Sequence, residues 1–185
     1  MAIVKKYPAR VTSIVNPIEG IYTLELESLG KPFRYLPGQF LHLALDAYDS
    51  AGPWPDSRCF SMQSSPDEES IRITYAVKGT FTQRMKSELV AGSEVTLKLP
   101  YGDLFTQAHN KENTVFLAGG TGITPFLSLF THQSFNEYIN PKIYLGFRSK
   151  EFNIYEKELN SVQLCDSSVQ LCVTCYYQDT EGVID

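Results

Sequence analysis

The sequence predicts two folded units in series: a small antiparallel β-barrel interrupted by one helix, then an incomplete parallel α/β sheet. Three observations carry this. Across residues 9–99 apolar side chains recur with a period of two, as in strands with one wet face. Turn-forming pairs cut that stretch into short strands, at Asn16-Pro17, Leu29-Gly30, Pro37-Gly38, Pro66-Asp67 and Ala91-Gly92. After Lys111-Glu112-Asn113 the period is lost, and a continuous apolar run leads into a glycine-rich turn and a helical stretch. The expected units are residues 1–110 and 111–185.

The strands of the first unit are read from their alternation. Tyr22, Leu24 and Leu26 alternate with Thr23, Glu25 and Glu27, and Leu41, Leu43 and Leu45 with His42 and Ala44. Ile71, Ile73, Tyr75 and Val77 alternate with Arg72, Thr74 and Lys78, and Val95, Leu97 and Leu99 with Glu94, Thr96 and Lys98. Residues 46–57 carry Gly52, Pro53 and Pro55 and read as a long loop, with Trp54 as its packed anchor. Residues 80–90 place apolar side chains at 81, 85 and 89, a helical spacing. Gly79 precedes this helix, and Thr80 and Thr82 lie in its opening turn. Free backbone N–H groups at a helix start attract an anion; plain capping by a hydroxyl is the alternative.

Arg58-Cys59-Phe60-Ser61 is the stretch with the most chemistry. In an extended strand Arg58 and Phe60 share one face, and Cys59 and Ser61 the other. A guanidinium bonds two phosphate oxygens at once. Phe60 offers a flat surface to a ring system, and Ser61 a hydroxyl that both donates and accepts. A planar, phosphate-bearing cofactor fits that set. A half-buried strand with a surface Arg fits it too, until the second unit is considered.

That unit opens with residues 114–118, an apolar run expected to be buried on both faces. Gly119-Gly120-Thr121-Gly122-Ile123-Thr124-Pro125 follows, then a helix over 126–132. A strand, a glycine-rich turn and a helix open a Rossmann-like dinucleotide-binding fold, although Thr124 stands in the region of the third glycine. Pro125 suits the first helical turn. Residues 142–149 read as a second buried strand ending in Arg148 and Ser149, at the position that meets the adenosine ribose. A cation there favours NADP(H). Residues 151–160 read as a helix and 168–177 as a third strand. Cys172 and Cys175, three apart on that strand, face opposite ways and are expected to be ordinary strand residues.

Composition removes several classes. A formal charge of -5 over 185 residues gives no basis for nucleic-acid binding. No signal peptide and no apolar run of membrane-spanning length is present, so a cytoplasmic protein is expected. Cys59, Cys165, Cys172 and Cys175 form no disulfide framework. His42, His109 and His132 show no metal-ligand spacing, and no nucleophile elbow supports a hydrolase.

Five stretches, in order, resemble the ferredoxin–NADP(H) reductase superfamily, whose members join an FAD-binding barrel to a pyridine-nucleotide domain. Pro37-Gly38-Gln39-Phe40 is similar to the family's Pro-Gly-Gln segment, and Arg58-Cys59-Phe60-Ser61 to its Arg-x-Tyr-Ser flavin motif, with Phe for Tyr. Gly79-Thr80-Phe81-Thr82 resembles its pyrophosphate motif, and Pro100-Tyr101-Gly102-Asp103 with Phe105 its closing turn. Gly119 to Pro125 resembles its nucleotide loop.

The resemblance implies that Arg58 pairs with the FAD pyrophosphate, Phe60 stacks on the isoalloxazine and Ser61 hydrogen-bonds near flavin N5. It implies a cofactor-lining backbone at Cys59, Tyr75 and Val77, and a pyrophosphate cradle at Gly79, Thr80, Phe81 and Thr82. Gly120, Thr121, Gly122 and Pro125 are implied to hold NAD(P)H with Arg148 and Ser149, and Thr124 to stand between the two rings. Ser61 and Thr124 are the implied catalytic pair. The implied reaction is hydride transfer from NAD(P)H to FAD, with electrons passed to a redox protein or a small-molecule acceptor. Two other readings stay open: a flavin-binding electron-transfer module without its own NAD(P)H activity, and a barrel that binds no flavin and serves as a scaffold.

The sequence departs from the family in one respect. It contains no Cys-Gly-Pro, and the expected strand order 3-2-1-4-5 is covered only as far as the third strand. The first strand is therefore expected to be an open sheet edge, available for pairing.

Overall fold

The computed structural model describes residues 3–164 and 169–181. Six strands form one antiparallel sheet: β1 (Lys5–Ile18), β2 (Ile21–Ser28), β3 (Phe40–Ala44), β4 (Ser57–Ser61), β5 (Ile71–Ala76) and β6 (Glu94–Tyr101). Their order is β4-β3-β6-β1-β2-β5. The outer strands approach one another, and Gln63 N–H donates to Arg72 C=O at 2.7 Å across the seam. The sheet is thus a barrel with a seam between β4 and β5. The period-two pattern closes it: Leu24, Leu26, Leu41, Leu43, Ile71, Ile73, Leu97 and Leu99 all point inward and are fully buried. Each contributes about 1.5–3 kcal/mol by leaving water, against about 0–1 kcal/mol for a surface ion pair. The apolar interior, not the charged exterior, holds the barrel.

Helix α1 (Thr80–Glu88) caps one end through Phe81 and Met85. It stops at Leu89, two residues short of the expected end, because Leu89 turns to an extended conformation. Loop 46–57 is anchored as expected. Trp54 Nε1–H donates to Ser57 Oγ at 2.9 Å, and the ring lies beneath the Lys98 ammonium.

Two of the glycine turns form one joint. Gly38 has φ +78, and a Cβ there would meet Phe105 Cδ2 at 2.4 Å. Gly102 has φ +88, and a Cβ there would meet Phe40 Cδ1 at 3.0 Å. Between them Gln39 is buried; its Oε1 accepts from Leu36 N–H at 2.8 Å and its Nε2–H donates to Gly102 C=O at 2.8 Å. The Phe105 ring then continues into the second unit against Phe116 and Phe126.

The second sheet is parallel, in the order β7 (Val115–Gly119), β8 (Lys142–Phe147), β9 (Cys172–Tyr177). Helices α2 (Thr124–Phe130) and α3 (Glu156–Leu164) share its core. Several boundaries differ from the sequence expectation. The helix expected at 126–132 starts earlier, with Pro125 in its first turn. The helix expected at 151–160 is a 3-10 turn (Lys150–Phe152), a break at Asn153, and then α3. Burying Tyr155, Leu159 and Val162 together sets that later start. The third strand begins at Cys172; Ser168 and Cys165 lie outside the described residues.

The expectation that 114–118 is buried on both faces does not hold. Phe116 is buried, but Val115 is 51% and Leu117 70% exposed. The buried cluster around α2 and α3 takes Phe116, Ile143 and Leu145 from a single face of the sheet, so the alternate residues of β7 stay uncovered.

Candidate functional site

Arg58 and the start of α1 come together. The Arg58 guanidinium stands over the Phe81 ring, 5.2 Å from its centroid, and bonds the exposed Asp56 carboxylate at 2.6 Å. The N-cap is Gly79, which has no side-chain oxygen, so no side chain caps the first-turn N–H groups of α1. The first turn holds no acidic residue, and a Cβ at Gly79 would meet nothing within 4 Å. A guanidinium fork beside uncapped amides and open space suits a pyrophosphate. Thr82 has a different task from the one expected of its hydroxyl. Its Oγ1 accepts from Lys78 N–H (2.9 Å) and Gly79 N–H (3.1 Å), and so shapes the turn. Thr80 is exposed at the helix start.

Along the seam, Phe60 is half-buried and meets the edge of Tyr75 at 6.1 Å. Tyr75 is buried and stacks on Tyr22 at 5.6 Å; its phenol is pushed up to about 12, chiefly by burial. Its side chain therefore belongs to the core, and only its backbone is left for a ligand. In register, Phe60 pairs with the inward-facing Leu41, while Cys59 pairs with His42 and Ser61 with Phe40 on the outer face. The alternation predicted for this strand is thus present, with Arg58 opposite Leu43 on Phe60's side.

A cleft of about 630 Å³ opens between the barrel and the carboxyl ends of β7, β8 and β9. Its barrel wall includes Gly20, Val77 and Lys78, and its far wall Gly119, Gly120, Thr121, Arg148 and Tyr176. Ligands of open α/β sheets lie at this end of the strands. Gly120 has φ +51, and a Cβ on it or on Gly122 would meet nothing within 4 Å. Arg148 packs over Phe152 at 6.0 Å. Ser149 donates to the Glu151 carboxylate, which with the nearby Lys150 holds that acid below its usual range, and Arg148 lines the cleft. Thr124 is buried, and its hydroxyl donates to Thr121 C=O at 3.0 Å. That bond ties the glycine loop to α2.

The strand carrying Arg58 to Ser61 runs directly into the contact between the two units. Ser128, one turn along α2 from Thr124, donates to Ser64 C=O at 2.8 Å, and the buried Tyr35 hydroxyl donates to Ser65 C=O at 2.9 Å. Gln63 Nε2–H donates to Glu158 of α3 at 2.9 Å, and Arg72 of β5 pairs with the same carboxylate at 3.0 Å. Gln63 Oε1 accepts from Thr74 at 2.6 Å. Gln63, Arg72 and Glu158 were not singled out in the sequence. Contacts 86 and 95 residues apart leave no local signal; only Gln63's place just after the Arg58–Ser61 strand hinted at it.

Burial raises Glu158 above the ordinary carboxylate range, with Gln63 and Arg72 pulling it back. The folded state therefore favours the neutral acid. That contribution is full below the ordinary carboxylate range and is lost as pH rises through the raised value. Glu158→Gln is accordingly expected to match or exceed the wild-type melting temperature at neutral pH and to flatten this pH dependence. Glu158→Ala removes the acceptor of the Gln63 amide and of one Arg72 N–H, while Arg72 keeps Glu68, and is expected to cost about 1–3 kcal/mol. Thermal unfolding of both variants across that pH range checks this, and equal melting temperatures would dismiss the contact as idle.

A six-stranded antiparallel barrel, set against a three-stranded parallel sheet with a glycine loop at its carboxyl end, makes a two-unit fold. No protein-family model matches the chain. It is 25% identical over 173 residues to the ferredoxin–NAD(+) reductase component of an alkene monooxygenase system from Xanthobacter autotrophicus, covering 91% of this chain and 50% of that one. It is 32% identical over 129 residues to a probable dihydroorotate dehydrogenase B (NAD(+)) electron transfer subunit from Methanopyrus kandleri, covering 70% and 45%. The structure of ferredoxin–NADP+ reductase from Plasmodium falciparum superposes with a TM-score of 0.76 over 95% of this chain and 75% of that one, at 18% identity. In sequence and in fold the chain is similar to members of the ferredoxin–NADP(H) reductase superfamily. It spans about half the length of the curated relatives it matches.

Proposed function

We propose that this chain binds FAD along the seam and NAD(P)H in the cleft, and that it carries reducing equivalents from the nucleotide, through the flavin, to an acceptor. The flavin supplies the hydride and electron chemistry when bound. The chain supplies placement. Arg58 and the first-turn amides of α1 hold the pyrophosphate, Phe60 backs the ring and Ser61 provides a hydroxyl beside it. Gly120, Thr121, Gly122 and Arg148 receive the nucleotide, while Thr124 and Pro125 fix the loop that does so. Residues 1–110 form the flavin unit and 111–185 the nucleotide unit.

One observation carries the reading: Val77 and Lys78 line the cleft and lead within two residues into the uncapped start of α1. The two sites therefore share a wall. The relatives add support, since one is named a ferredoxin–NAD(+) reductase component and another an electron transfer subunit.

The first test is an absorption spectrum and identification of released flavin, followed by NAD(P)H oxidation with an artificial acceptor. Flavin with turnover supports this reading, and flavin without turnover a flavin module without its own NAD(P)H activity. A protein that takes up no flavin supports the scaffold reading. Arg148→Ala is expected to weaken NADPH binding about tenfold, the loss of one hydrogen bond to a charged group. Calorimetric titration with NADPH reads this, and an unaltered affinity would remove Arg148 from the site.

The acceptor is proposed to be a redox protein or a small molecule. The open edge of β7, with Val115 and Leu117 exposed, is proposed to pair with a further strand. Placement in the cytoplasm is part of the same proposal; no helix among the described residues is long and apolar enough to cross a membrane.

A further inference from the structure

Three neighbouring strands line up three reactive side chains on the outer face of the barrel. Cys59 on β4 stands opposite His42 on β3, and His42 opposite Lys98 on β6. The next strand adds Lys6, opposite Lys98. Cys59 is an exposed free thiol, with Sγ 3.4 Å from His42 Nε2. Tyr101 packs edge-on against the His42 ring at 4.7 Å and holds it beside the thiol. A nucleophile, a proton acceptor and two cations thus sit in one row, on a chain whose net charge is -5.

We propose that Cys59 is a thiol–disulfide exchange site for small anionic disulfides of the glutathione class. His42 Nε2 accepts the thiol proton as Cys59 Sγ attacks one sulfur of the disulfide. The disulfide S–S bond breaks and a Cys59–S–S bond forms. The second sulfur leaves with the bonding electron pair and takes the proton from His42. Cys59 is oxidised to a mixed disulfide, and one free thiol is released per adduct. Lys98 and Lys6 attract the carboxylates of the incoming disulfide. Burial, and then the Lys98 charge, hold His42 below its ordinary value, so its ring is neutral and able to accept at neutral pH. The proposal does not depend on flavin binding.

The test is a time course of the isolated protein with glutathione disulfide, quenched in acid and mapped by peptide mass spectrometry. Cys172, the other exposed cysteine among the described residues, is the internal control. Cys59 is expected to take the adduct first. His42→Asn is expected to slow Cys59 about tenfold, short of the roughly hundredfold that a base supplies in a closed site, with Cys172 unaltered. His42→Gln repeats the measurement should the Asn variant misfold. Lys98→Gln is expected to erase the preference for glutathione disulfide over the cationic disulfide cystamine. Equal labelling of Cys59 and Cys172, or unchanged Cys59 rates in both His42 variants, overturns the site. A preference that survives Lys98→Gln overturns the anionic substrate class. Protein that binds no FAD yet labels first at Cys59 leaves this inference standing and sinks the flavin reading alone.

Discussion

Replacing Arg58 with alanine is expected to raise the dissociation constant for FAD about ten- to a hundredfold while leaving the melting temperature almost unaltered. The two halves of that result have separate causes. The side chain is 54% exposed; among the described residues its guanidinium bonds Asp56 and the Ser57 carbonyl and lies over Phe81, so the free protein loses exposed contacts of about 0–1 kcal/mol. The complex loses far more. A bidentate, charge-assisted contact to a pyrophosphate is worth about 1.5–3 kcal/mol, which is the stated range in affinity. Arg58→Lys keeps the charge without the fork and should fall between. Flavin fluorescence quenching on titration measures all three proteins. An alanine variant that binds FAD as tightly as wild type would move the phosphate elsewhere and leave the α1 start without its partner.

Gly38→Ala is the change expected to harm the fold most. A left-handed backbone costs an L-residue about 1–2 kcal/mol. The added methyl also falls 2.4 Å from Phe105, a ring held by Phe116 and Phe126. Pushing such a ring out of a packed core costs about 1–3 kcal/mol more, for a total of about 2–5 kcal/mol. Gly20→Ala is the control: the same φ of +78, with nothing within 4 Å of the added carbon. It should lose only the backbone part. Urea unfolding of both proteins separates the terms. Equal losses would mean that the Gly38–Phe105 contact does not join the two units as described.

The comparison with the sequence divides along sequence distance. The strands announced themselves because a half-buried strand must alternate, and Leu24, Leu41, Ile73 and Leu97 do so in plain view. The glycine loop and the α1 start were legible because each is a short continuous segment with its own chemistry. Helix α3 was placed early because nothing local marks the break at Asn153; its start is fixed by Tyr155 finding the core. The exposed side of β7 was misread because an apolar run does not say whether both faces have something to pack against. Thr82 is expected at a pyrophosphate and Thr124 between two rings. Their engagement with neighbouring backbone is visible only once the turns are built. The Gln63–Arg72–Glu158 contact joins elements far apart in the chain, and no local pattern foretells it.

The strand order has a consequence for how the molecule is made. β6 lies between β3 and β1, so the first strand of the chain cannot be flanked on both sides until residues 94–101 have been synthesised. Until then the nascent chain can pair β1, β2 and β5 as one antiparallel set and β3 and β4 as another, each with open edges and with no strand to join them. Such non-local pairing folds slowly. The nascent chain thus passes through a stretch of translation in which five of the six strands are made yet unable to close the sheet. A chaperone that covers those edges in that interval is expected to raise the yield of folded protein.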